Sequence, residues 1–506
     1  MDQVFDVAII GGGINGCGCA ADAALRGLSV VLFEQDDLAS KTSSSSTKLI
    51  HGGLRYLESY EFALVKKAIT ERQKLLDLAP HLVHAQALVL PYQKHMRPAW
   101  FLRLGLFIYD HISRKNRLPK CKSINKKSEP NYFEPLNNSL NHGFLFYDGT
   151  ADDARLTLVN ALQARNYGAS IRPHSTVTQA QVINNLWQLT IQPQMGDSYL
   201  IYAKSLINAA GPWVKMVEEL THSGSQQKIS LVKGSHIVVP KIYEGEHAYF
   251  LQHPDNRIIF VIPYHGYSMI GTTDVPVEGK PDKINISLEE INYLIDLVNQ
   301  YFKTKIAREA VIYTWSGVRA LLADEGKEAR KLSRDYTHQF QLLPAPVVTI
   351  YGGKITTYRQ LSEEVINQLM PVFPEMNPSI TSITPLPGAW FETMNFQQYS
   401  EYAKNKYKWM DASLLHRYLH TYGCCMEKFL THCTSEESLG KKYGSDLYQA
   451  EVDYLILEEW ARSAEDILKR RTKLDLTIDV ASKKELADYL KGITSYPLPQ
   501  AETLLH

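Results

Sequence analysis

The first 35 residues place short hydrophobic runs on either side of a glycine-rich turn, an order typical of a strand, a helix and a second strand. Val4–Ile10 is short, apolar and rich in β-branched residues, which predicts a buried parallel strand. Asn15–Arg26 is rich in alanine and predicts a helix that ends at Gly27. Val30–Phe33 predicts the second strand, so the chain begins with a βαβ unit.

Similar patterns recur along the next 330 residues. The spacing of apolar residues predicts helices at Phe62–Leu78 and Asp152–Tyr167 and a further helix from Thr357. Short apolar runs predict strands at Trp187–Ile191, Leu206–Ala209, Ser235–Pro240, Ile258–Pro263, Ser268–Gly271 and Val347–Tyr351. The cluster of strands within 229–275 predicts an antiparallel sheet that covers the first domain.

Two regions depart from this α/β pattern. Residues 88–150 are interrupted by prolines and hold a basic, aromatic-rich stretch rather than a regular α/β pattern. The region from Phe396 to Leu490 is rich in Glu, Lys, Tyr and Leu and is predicted to be helical.

Length and charge restrict the class of protein. A chain of 506 residues is too long for one hydrophobic core, so we expect two or three domains. The 54 basic side chains are balanced by 54 acidic ones, which argues against a nucleic-acid partner. The start of the chain lacks the pattern of a signal peptide, and we find no apolar run long enough to cross a bilayer.

Six cysteines are present, and none forms the paired CxxC motifs of a zinc site. Cys17 and Cys19 fall inside the first predicted helix, where we expect buried, reduced thiols. The sequence therefore predicts no metal ligands.

A dinucleotide-binding motif joins the first predicted strand and helix. The segment from Gly11 to Gly16 fits GxGxxG, and Glu34 ends the second strand eighteen residues later. Gly11 permits the tight turn, Gly13 lets the backbone approach a pyrophosphate, and Gly16 lets helix and strand pack closely. The helix N-terminus attracts phosphate, and a carboxylate at Glu34 suits both ribose hydroxyls while disfavouring the 2′-phosphate of NADP.

The residues that follow favour FAD over NAD. A Ser/Thr-rich loop at 42–47 leads into Lys48, Leu49, Ile50, His51 and two glycines. A polar loop followed by a glycine pair can wrap the pyrophosphate and the flavin ring. We therefore expect FAD as the cofactor.

Eight segments, in order along nearly the whole chain, resemble the FAD-dependent glycerol-3-phosphate dehydrogenases, and the bacterial respiratory enzymes in particular. They are GGGINGCGCAADAALRGLSVVLFE, SSSSTKLIHGGLRYLE, RPAWFLRLGLFIYDH, INAAGPWVK, LVKGSHIVVP, VIPYHGYSMIGTTD, SGVRALLADE and YGGKITTYR. The C-terminal DYLILEEWARSAEDILKRRTK also matches. Ala320 stands where the family pattern has proline, which is expected to soften a turn after Arg319.

The resemblance implies a glutathione-reductase-type, Rossmann-like FAD-binding domain, an antiparallel-sheet cap and a C-terminal all-helical domain. It also implies oxidation of sn-glycerol 3-phosphate to dihydroxyacetone phosphate, with electrons passing to a membrane quinone. The expected FAD-binding domain is built from 1–88, 151–220 and 311–388. We expect a cap insertion facing the membrane at 89–150, a substrate or cap domain at 221–310 and the helical domain at 389–506.

A phosphorylated substrate requires several cations, and arginine suits phosphate because its guanidinium can bind two oxygens at once. The candidates lie next to glycines or near predicted strand ends. Our hypothesis is that Arg55, Arg334 and Lys354 bind the phosphate and that Arg319 stabilises charge on the reacting oxygen. Thr273 is a further candidate for the substrate pocket.

Hydride removal from an alcohol carbon also requires a base for the hydroxyl proton. His51, beside the predicted flavin loop, and His236, on a predicted cap strand, are both candidates, and we favour His51. The residues expected to contact FAD are Gly11, Gly13, Ile14, Asn15, Gly16, Glu34, Thr42, Ser43, Ser44, Lys48, Leu49, His51, Gly52, Val177, Ala210, Gly211, Gly353, Lys354 and Thr356.

The segment from Lys94 to Lys127 carries ten Lys or Arg residues and one acid. Five of its apolar residues fall on one helical face: Trp100, Phe101, Leu104, Phe107 and Ile108. Such a basic amphipathic segment can lie on an anionic lipid surface, or it can pack inward as part of the cap. With a quinone acceptor we expect a cytoplasmic homodimer attached peripherally to the inner face of the cytoplasmic membrane.

Three other functions were weighed. An oxidase of the same substrate would pass electrons to oxygen. An amine-type oxidase, acting on sarcosine or glycine, would need only one cation for its substrate carboxylate, so four cations argue against it. A non-catalytic flavoprotein scaffold for RNA is disfavoured by the balanced charge.

Overall fold

The computed structural model describes residues 4–58, 60–224, 227–255, 257–281, 284–322 and 335–494. In chain order the strands are β1 (Val4–Ile10), β2 (Val30–Phe33), β3 (Leu49–Ile50), β4 (Val83–Pro91), β5 (Lys122–Asn125), β6 (His142–Ala151), β7 (Ser170–Arg172), β8 (Ser175–Ile183), β9 (Leu186–Pro193), β10 (Tyr199–Asn208), β11 (Ile229–Pro240), β12 (Ala248–Gln252), β13 (Ile258–Tyr264), β14 (Tyr267–Gly271), β15 (Val275–Val277), β16 (Tyr313–Leu322), β17 (Thr337–Gln341) and β18 (Val347–Tyr351). The helices are α1 (Ile14–Leu25), α2 (Phe62–Leu78), α3 (Ala99–His111), α4 (Asp153–Asn166), α5 (Val214–Thr221), α6 (Leu288–Tyr301), α7 (Tyr358–Asn367), α8 (Phe396–Lys406), α9 (Ala412–Tyr422), α10 (Glu427–Leu430), α11 (Gln449–Glu458) and α12 (Val480–Thr494).

The first sheet is built around β1. Among the described residues its main strand order is β17-β18-β10-β1-β2-β7, and the β8–β9 hairpin extends from β10. Strands β18, β10, β1, β2 and β7 pair in parallel. Helices α1, α4 and α7 pack against one face, so that Val7 and Ile9 are buried there, whereas Ala8 and Ile10 are buried against the other face. Burial on both faces explains why the sequence of β1 is continuously apolar.

The predicted βαβ unit is confirmed. β1 and β2 have the predicted bounds, and α1 is shifted by one residue at each end. Cys17 and Cys19 are buried in α1, as expected of small side chains packed against a sheet. The other predicted strands and helices also form, most of them longer than predicted by a few residues.

The second sheet covers the carboxyl edge of the first. Its main order is β15-β11-β14-β13-β12-β4-β6-β3, with β16 paired to β11 and β5 paired to β6. Residues 88–150, whose sequence lacks a regular α/β pattern, nevertheless contain a long regular strand, because β6 pairs with β4 over nine residue pairs inside this sheet. Segments 89–150 and 221–310 thus contribute to one sheet, which also contains β16 from the segment predicted to belong to the FAD-binding domain.

The region from α8 to α12 forms the predicted helical domain. Its core combines aliphatic side chains with an unusual number of buried tyrosines, among them Tyr418, Tyr422 and Tyr443. None of the described helices has both the length and the hydropathy that crossing a bilayer requires.

Buried ion pairs hold the helical domain against the first sheet and its helices. Arg155 of α4 binds the carboxylate of Glu459 through both terminal nitrogens and donates to the carbonyl of Thr421. Asp37, just after β2, accepts hydrogen bonds from Arg470 and Arg471. Arg155, Glu459 and Arg471 are at most 2% exposed. Removing one member of such a pair therefore leaves an uncompensated buried charge.

We predict that Glu459→Ala lowers the free energy of unfolding by about 3–5 kcal/mol, because Arg155 would remain buried without its carboxylate. Urea denaturation followed by circular dichroism measures the change. Glu458→Ala is the matched control, since Glu458 pairs with Arg165 and Lys428 near the surface and should contribute less than about 1 kcal/mol. Equal effects of the two substitutions would contradict the prediction.

Candidate active site

A cavity of about 860 Å³ lies between the two sheets. Its floor is the carboxyl edge of the first sheet, where Gly11 follows β1, Glu34 follows β2, Ala209 follows β10 and Gly352 follows β18. Ligands of doubly wound sheets bind at this edge, because the loops that leave successive parallel strands meet there. The second sheet closes the cavity from above.

The N-terminus of α1 points into this cavity and has the properties of a phosphate site. Gly11 has a φ of +115°, and a Cβ there would lie 2.6 Å from the carbonyl oxygen of Ala209. A Cβ at Gly16 would lie 1.9 Å from the carbonyl oxygen of Gly11, so helix and strand can approach only without one. The first helical amide, at Ile14, donates to Ser43 Oγ at 2.9 Å. The turn thus brings amides and a hydroxyl to the place where a pyrophosphate would bind.

Glu34 lies at the end of the cavity where the ribose of a dinucleotide is expected. Its carboxylate accepts the amide of Gly12 at 2.7 Å and that of Asp36 at 2.9 Å. Burial raises the pKa of this carboxyl, against the opposing effect of the two amides. The side chain is therefore held in position by the backbone before any ligand is bound.

Most residues predicted to contact the cofactor line this cavity. They are Gly11, Gly13, Ile14, Asn15, Glu34, Thr42, Ser43, Leu49, His51, Val177, Ala210, Gly211, Gly353, Lys354 and Thr356. These residues come from segments that are far apart in sequence, and hydrogen bonds tie some of the segments together. Asn15 donates to the carbonyl of Gly352 at 3.1 Å, and Thr42 donates to that of Val318 at 2.7 Å.

Four predicted cofactor residues, Gly16, Ser44, Lys48 and Gly52, are not among those that line the cavity. Gly16 is covered by the packing of α1 against β1, as described above. The Lys48 ammonium is buried against Asp153 at 2.7 Å and also donates to the carbonyl of Ser44 at 2.8 Å. The amide of Gly52 donates to Asp148 Oδ1 at 3.1 Å. Lys48 therefore supports the Ser/Thr loop from behind and does not face the cavity.

The loop that carries His51 is fixed from two sides. The His51 amide donates to Thr356 Oγ1 at 3.2 Å, and the imidazole borders the cavity. On the other side Asp148 accepts from Gly52 and, at 2.7 Å, from the hydroxyl of Tyr109 on α3. The buried carboxylate of Asp148 thus links α3 to the residue next to His51.

The structure places His236 and Thr273 away from the cavity surface. His236 is buried, its Nε2 lies 3.0 Å from Thr47 Oγ1, and its ring stacks on Trp315. Burial lowers the pKa of His236 well below its ordinary value. Thr273 donates to Glu290 at 2.6 Å, and its neighbour Thr272 lines the cavity instead. The structure therefore brings Thr272, and not the predicted Thr273, to the cavity wall.

Three of the four predicted cations lie around the cavity. Arg319 Nη1 lies 2.5 Å from Asp274 Oδ1, and Arg55 lines the wall beside His51. The ammonium of Lys354 is buried 3.9 Å from the centre of the Tyr56 ring and has no hydrogen-bond partner among the described residues. Arg334, the fourth candidate, lies outside the described residues.

Several lining residues were not predicted. Phe250 and Phe260 form an apolar wall from paired positions of β12 and β13, and Trp213 borders the opposite side. Tyr56 lies beneath Lys354. Tyr56 and Trp213 fall inside the motifs quoted above, which could have drawn attention to them. Phe250 and Phe260 carry no sequence signal, because only strand pairing brings them together.

Helix α3 has an exposed apolar face next to this site. Trp100 is 68% exposed, Phe107 60%, Leu104 48% and Phe101 38%. On the inner face, Leu106 and Tyr109 pack in the same apolar cluster as Phe250. The alternative that this face packs inward is therefore wrong, and only Ile108 of the predicted face is partly buried.

The residue after Arg319 also differs from the expectation of a turn. Ala320, which replaces the proline of the family pattern, lies within β16 and pairs with Leu231. No turn forms there, so Arg319 is held by a regular strand.

Comparisons with known proteins agree with this geometry. A family model described as FAD dependent oxidoreductase matches residues 6–359, and one described as the C-terminal domain of alpha-glycerophosphate oxidase matches residues 379–492. A glycerol-3-phosphate dehydrogenase of Pseudomonas aeruginosa is 45% identical over 97% of this chain and 96% of its own length. A D-erythritol 1-phosphate dehydrogenase of Brucella abortus is 42% identical over 96% of this chain and 98% of its own.

A solved structure of similar shape supports the same assignment. Glycerol-3-phosphate dehydrogenase from Bacillus halodurans, complexed with FAD, matches with a TM-score of 0.79 and 25% identity, covering 98% of this chain and 92% of that one. The glycine turn, Glu34 and the Ser/Thr loop fit FAD in the cavity between the sheets. The chain therefore belongs to the FAD-dependent oxidoreductase family, with FAD as its cofactor and a C-terminal helical domain of the alpha-glycerophosphate oxidase type.

Proposed function

We propose that this protein oxidises sn-glycerol 3-phosphate to dihydroxyacetone phosphate and passes the electrons to a membrane quinone. The observation that carries the proposal is the group of cations at the cavity, Arg55, Arg319 and Lys354. Lys354 is decisive, because its ammonium is buried at the wall without a hydrogen-bond partner among the described residues. A phosphate dianion would supply that partner.

Each cation has a distinct role in this proposal. Lys354 and Arg55 bind the substrate phosphate, which fixes the orientation of the three-carbon chain. Arg319, held by Asp274, stabilises negative charge on the substrate oxygen as its proton leaves. FAD supplies the acceptor for the hydride from the neighbouring carbon. The apolar side chains of Phe250 and Phe260 limit the access of water.

His51 is the better candidate for the base. Its imidazole borders the cavity close to Arg55, whereas His236 is buried behind Thr47 and stacked on Trp315. A base must reach the substrate hydroxyl directly or through one water. His236 fits a structural role beneath the Ser/Thr loop.

The same cations disfavour the amine-type alternative. Arg319 already pairs with Asp274, and the single carboxylate of sarcosine or glycine would have to serve both Arg55 and Lys354, whereas a phosphate dianion can bind both. An oxidase that uses oxygen as the final acceptor would have the same substrate site. It would differ only in the step that reoxidises the reduced flavin. The exposed face of α3 favours quinone, since it offers a route to an acceptor dissolved in lipid.

We infer that α3 attaches the protein to an anionic membrane surface. Its outer face combines Trp100, Leu104 and Phe107 with exposed basic residues such as Arg97 and Arg103. This arrangement is typical of helices that lie in the interfacial region of a bilayer. The proposal places the protein at the inner face of the cytoplasmic membrane, with a homodimer as the expected assembly and no nucleic-acid partner.

The proposed reaction predicts loss of the flavin absorbance near 450 nm, about the usual maximum of an oxidised flavin. We expect the anaerobic holoenzyme to be bleached by sn-glycerol 3-phosphate and not by glycerol or sarcosine, because only the first carries the phosphate that Lys354 requires. D-Erythritol 1-phosphate tests whether a longer phosphorylated polyol fits equally well. Failure of sn-glycerol 3-phosphate to bleach the flavin would contradict the proposal.

Two further measurements with this assay test the electron acceptor and the base separately. Reoxidation of the bleached enzyme by a soluble quinone, compared with oxygen, distinguishes dehydrogenase from oxidase. His51→Gln should slow the bleaching and change its pH dependence, because the proposed base would be missing. If its rate and pH profile match those of the wild type, His51 is not the base.

We predict that Lys354→Met lowers kcat/KM for sn-glycerol 3-phosphate by about 10- to 100-fold, the loss of one charge-assisted hydrogen bond. Because Lys354 is also among the residues expected to contact FAD, kcat/KM is normalised to the FAD content measured by absorbance, which separates substrate binding from loss of cofactor. Lys66→Met, on the exposed side of α2, is the matched control and should leave kcat/KM unchanged. A wild-type value for Lys354→Met would exclude the lysine from substrate binding.

We predict that replacing Trp100, Leu104 and Phe107 together by serine weakens binding to vesicles of anionic phospholipid by at least about tenfold, because apolar burial is lost. Sedimentation with vesicles measures binding. Activity with a soluble dye acceptor should persist, since these side chains do not line the cavity. Trp390→Ser combined with Leu457→Ser is the control, because both side chains are similarly exposed on the helical domain. Equal losses in both proteins would contradict the assignment of α3.

A further inference from the structure

The loop that follows β2 forms one wall of the FAD cavity. Four of its residues line the cavity at the end where the adenosine of the cofactor is expected: Glu34, Ala39, Ser40 and Lys41. Asp37 lies in the middle of the same loop, is 2% exposed and is not among the lining residues. Its carboxylate is therefore directed behind the loop, into the protein.

Hydrogen bonds tie the residues on both sides of Asp37 to the cofactor site. The amide of Asp36 donates to Glu34 Oε1 at 2.9 Å, and the amide of Gly12 donates to Glu34 Oε2 at 2.7 Å. Two residues beyond Asp37, the amide of Ala39 donates to the carbonyl of Gly12 at 3.0 Å. A shift of Asp37 would therefore displace both the acid expected to bind the ribose and the glycine turn.

The helical domain binds the carboxylate of Asp37 from behind. Arg471 donates to it through both terminal nitrogens, with Nη2 at 2.7 Å from Oδ1, and Arg470 Nε lies 2.5 Å from Oδ2. Arg471 is fully buried and also donates to the carbonyl of Glu459 at 2.7 Å, whereas Arg470 also pairs with Asp466. Two guanidinium groups of the helical domain thus fix one buried carboxylate of the cofactor domain.

The same segment reaches the Ser/Thr loop on the other side of the site. Lys473 is buried, and its ammonium lies 3.2 Å from Asp152 Oδ1. Asp152 caps α4, and the next residue, Asp153, accepts the amide of Ser46 at 2.9 Å. Residues 470–473 therefore contact the supports of both polar loops that line the FAD cavity.

An ion pair between two domains can also do no more than add stability. The pair of Arg155 and Glu459 is of this kind, since neither residue lies on a loop that lines the cavity. Asp37 differs, because the loop that contains it also carries Glu34. The two ion pairs cross the same domain boundary, so one serves as a matched control for the other.

We propose that Arg470 and Arg471 position the adenosine-binding loop of the FAD site through Asp37, so that the helical domain forms part of the cofactor site. Both arginines are positioning residues, because neither lines the cavity. The ligand whose binding depends on them is an adenine nucleotide, namely the adenosine half of FAD. This role requires only that FAD is the cofactor and does not depend on the identity of the substrate.

Equilibrium release of FAD from the diluted, full-length holoenzyme tests the proposal. Ultrafiltration followed by flavin absorbance gives the dissociation constant of FAD. Added ADP displaces FAD by occupying the adenosine half of the site alone, so the same measurement gives the dissociation constant of ADP. Circular dichroism confirms that each variant is folded.

We expect Asp37→Asn and Arg471→Lys each to raise both dissociation constants by the same factor of at least about tenfold, because each removes the charged, bidentate contact behind the loop. The double variant should bind no more weakly than about the weaker single variant, since both changes remove one interaction. Arg470→Lys, which leaves the Arg471 contact in place, should give a smaller change in the same direction and serves if the other variants fail to fold.

Glu459→Gln is the matched control. It breaks the ion pair with Arg155 at the same domain boundary but keeps the Glu459 carbonyl that Arg471 binds. The variant should unfold at a lower temperature with unchanged dissociation constants for FAD and ADP. Wild-type constants in the folded Asp37 and arginine variants overturn the proposal, as do equal losses in Glu459→Gln or a weaker affinity for FAD without one for ADP.

Discussion

The parallel alignment of β18, β10, β1 and β2 is the constraint on which the rest of this structure depends. Because these four strands pair in parallel, their carboxyl ends lie at one edge of the sheet. Gly11, Glu34, Ala209 and Gly352 come together for that reason alone. The cofactor cavity is thus a consequence of strand order, and the second sheet only closes it.

Support for the reactive groups comes from behind the cavity. Lys48 and Asp153 hold the Ser/Thr loop through a buried ion pair, and Asp148 holds the loop that carries His51. Asp148 also accepts from Tyr109 of α3, so the helix assigned to the membrane surface and the proposed base share one buried carboxylate. The loop that carries His51 and helix α3 are therefore structurally connected.

The local elements were predicted well, and the reasons are physical. Strand β1 is buried on both faces, so its apolar run alone defines it, and the positions of Gly11 and Gly16 follow from close backbone contacts. Strand β6 was missed because its neighbours contain many prolines and its pairing with β4 joins residues more than fifty positions apart. Thr273 was chosen over Thr272 because sequence spacing does not reveal which side of a strand end faces a cavity.

The sequence by itself determined the dinucleotide turn, the acid for the ribose, the choice of FAD and three of the cations, since each depends on short-range backbone geometry or on a motif. Tertiary structure decided that His51 lines the cavity while His236 is buried behind Thr47, although motifs treat the two alike, and it turned Lys48 towards Asp153. It also paired Phe250 with Phe260 and brought Asp37 to Arg471 across 434 residues. Such contacts depend on strand order and domain packing. Both are determined by burial of apolar surface between residues far apart in sequence, so no local sequence pattern reveals them.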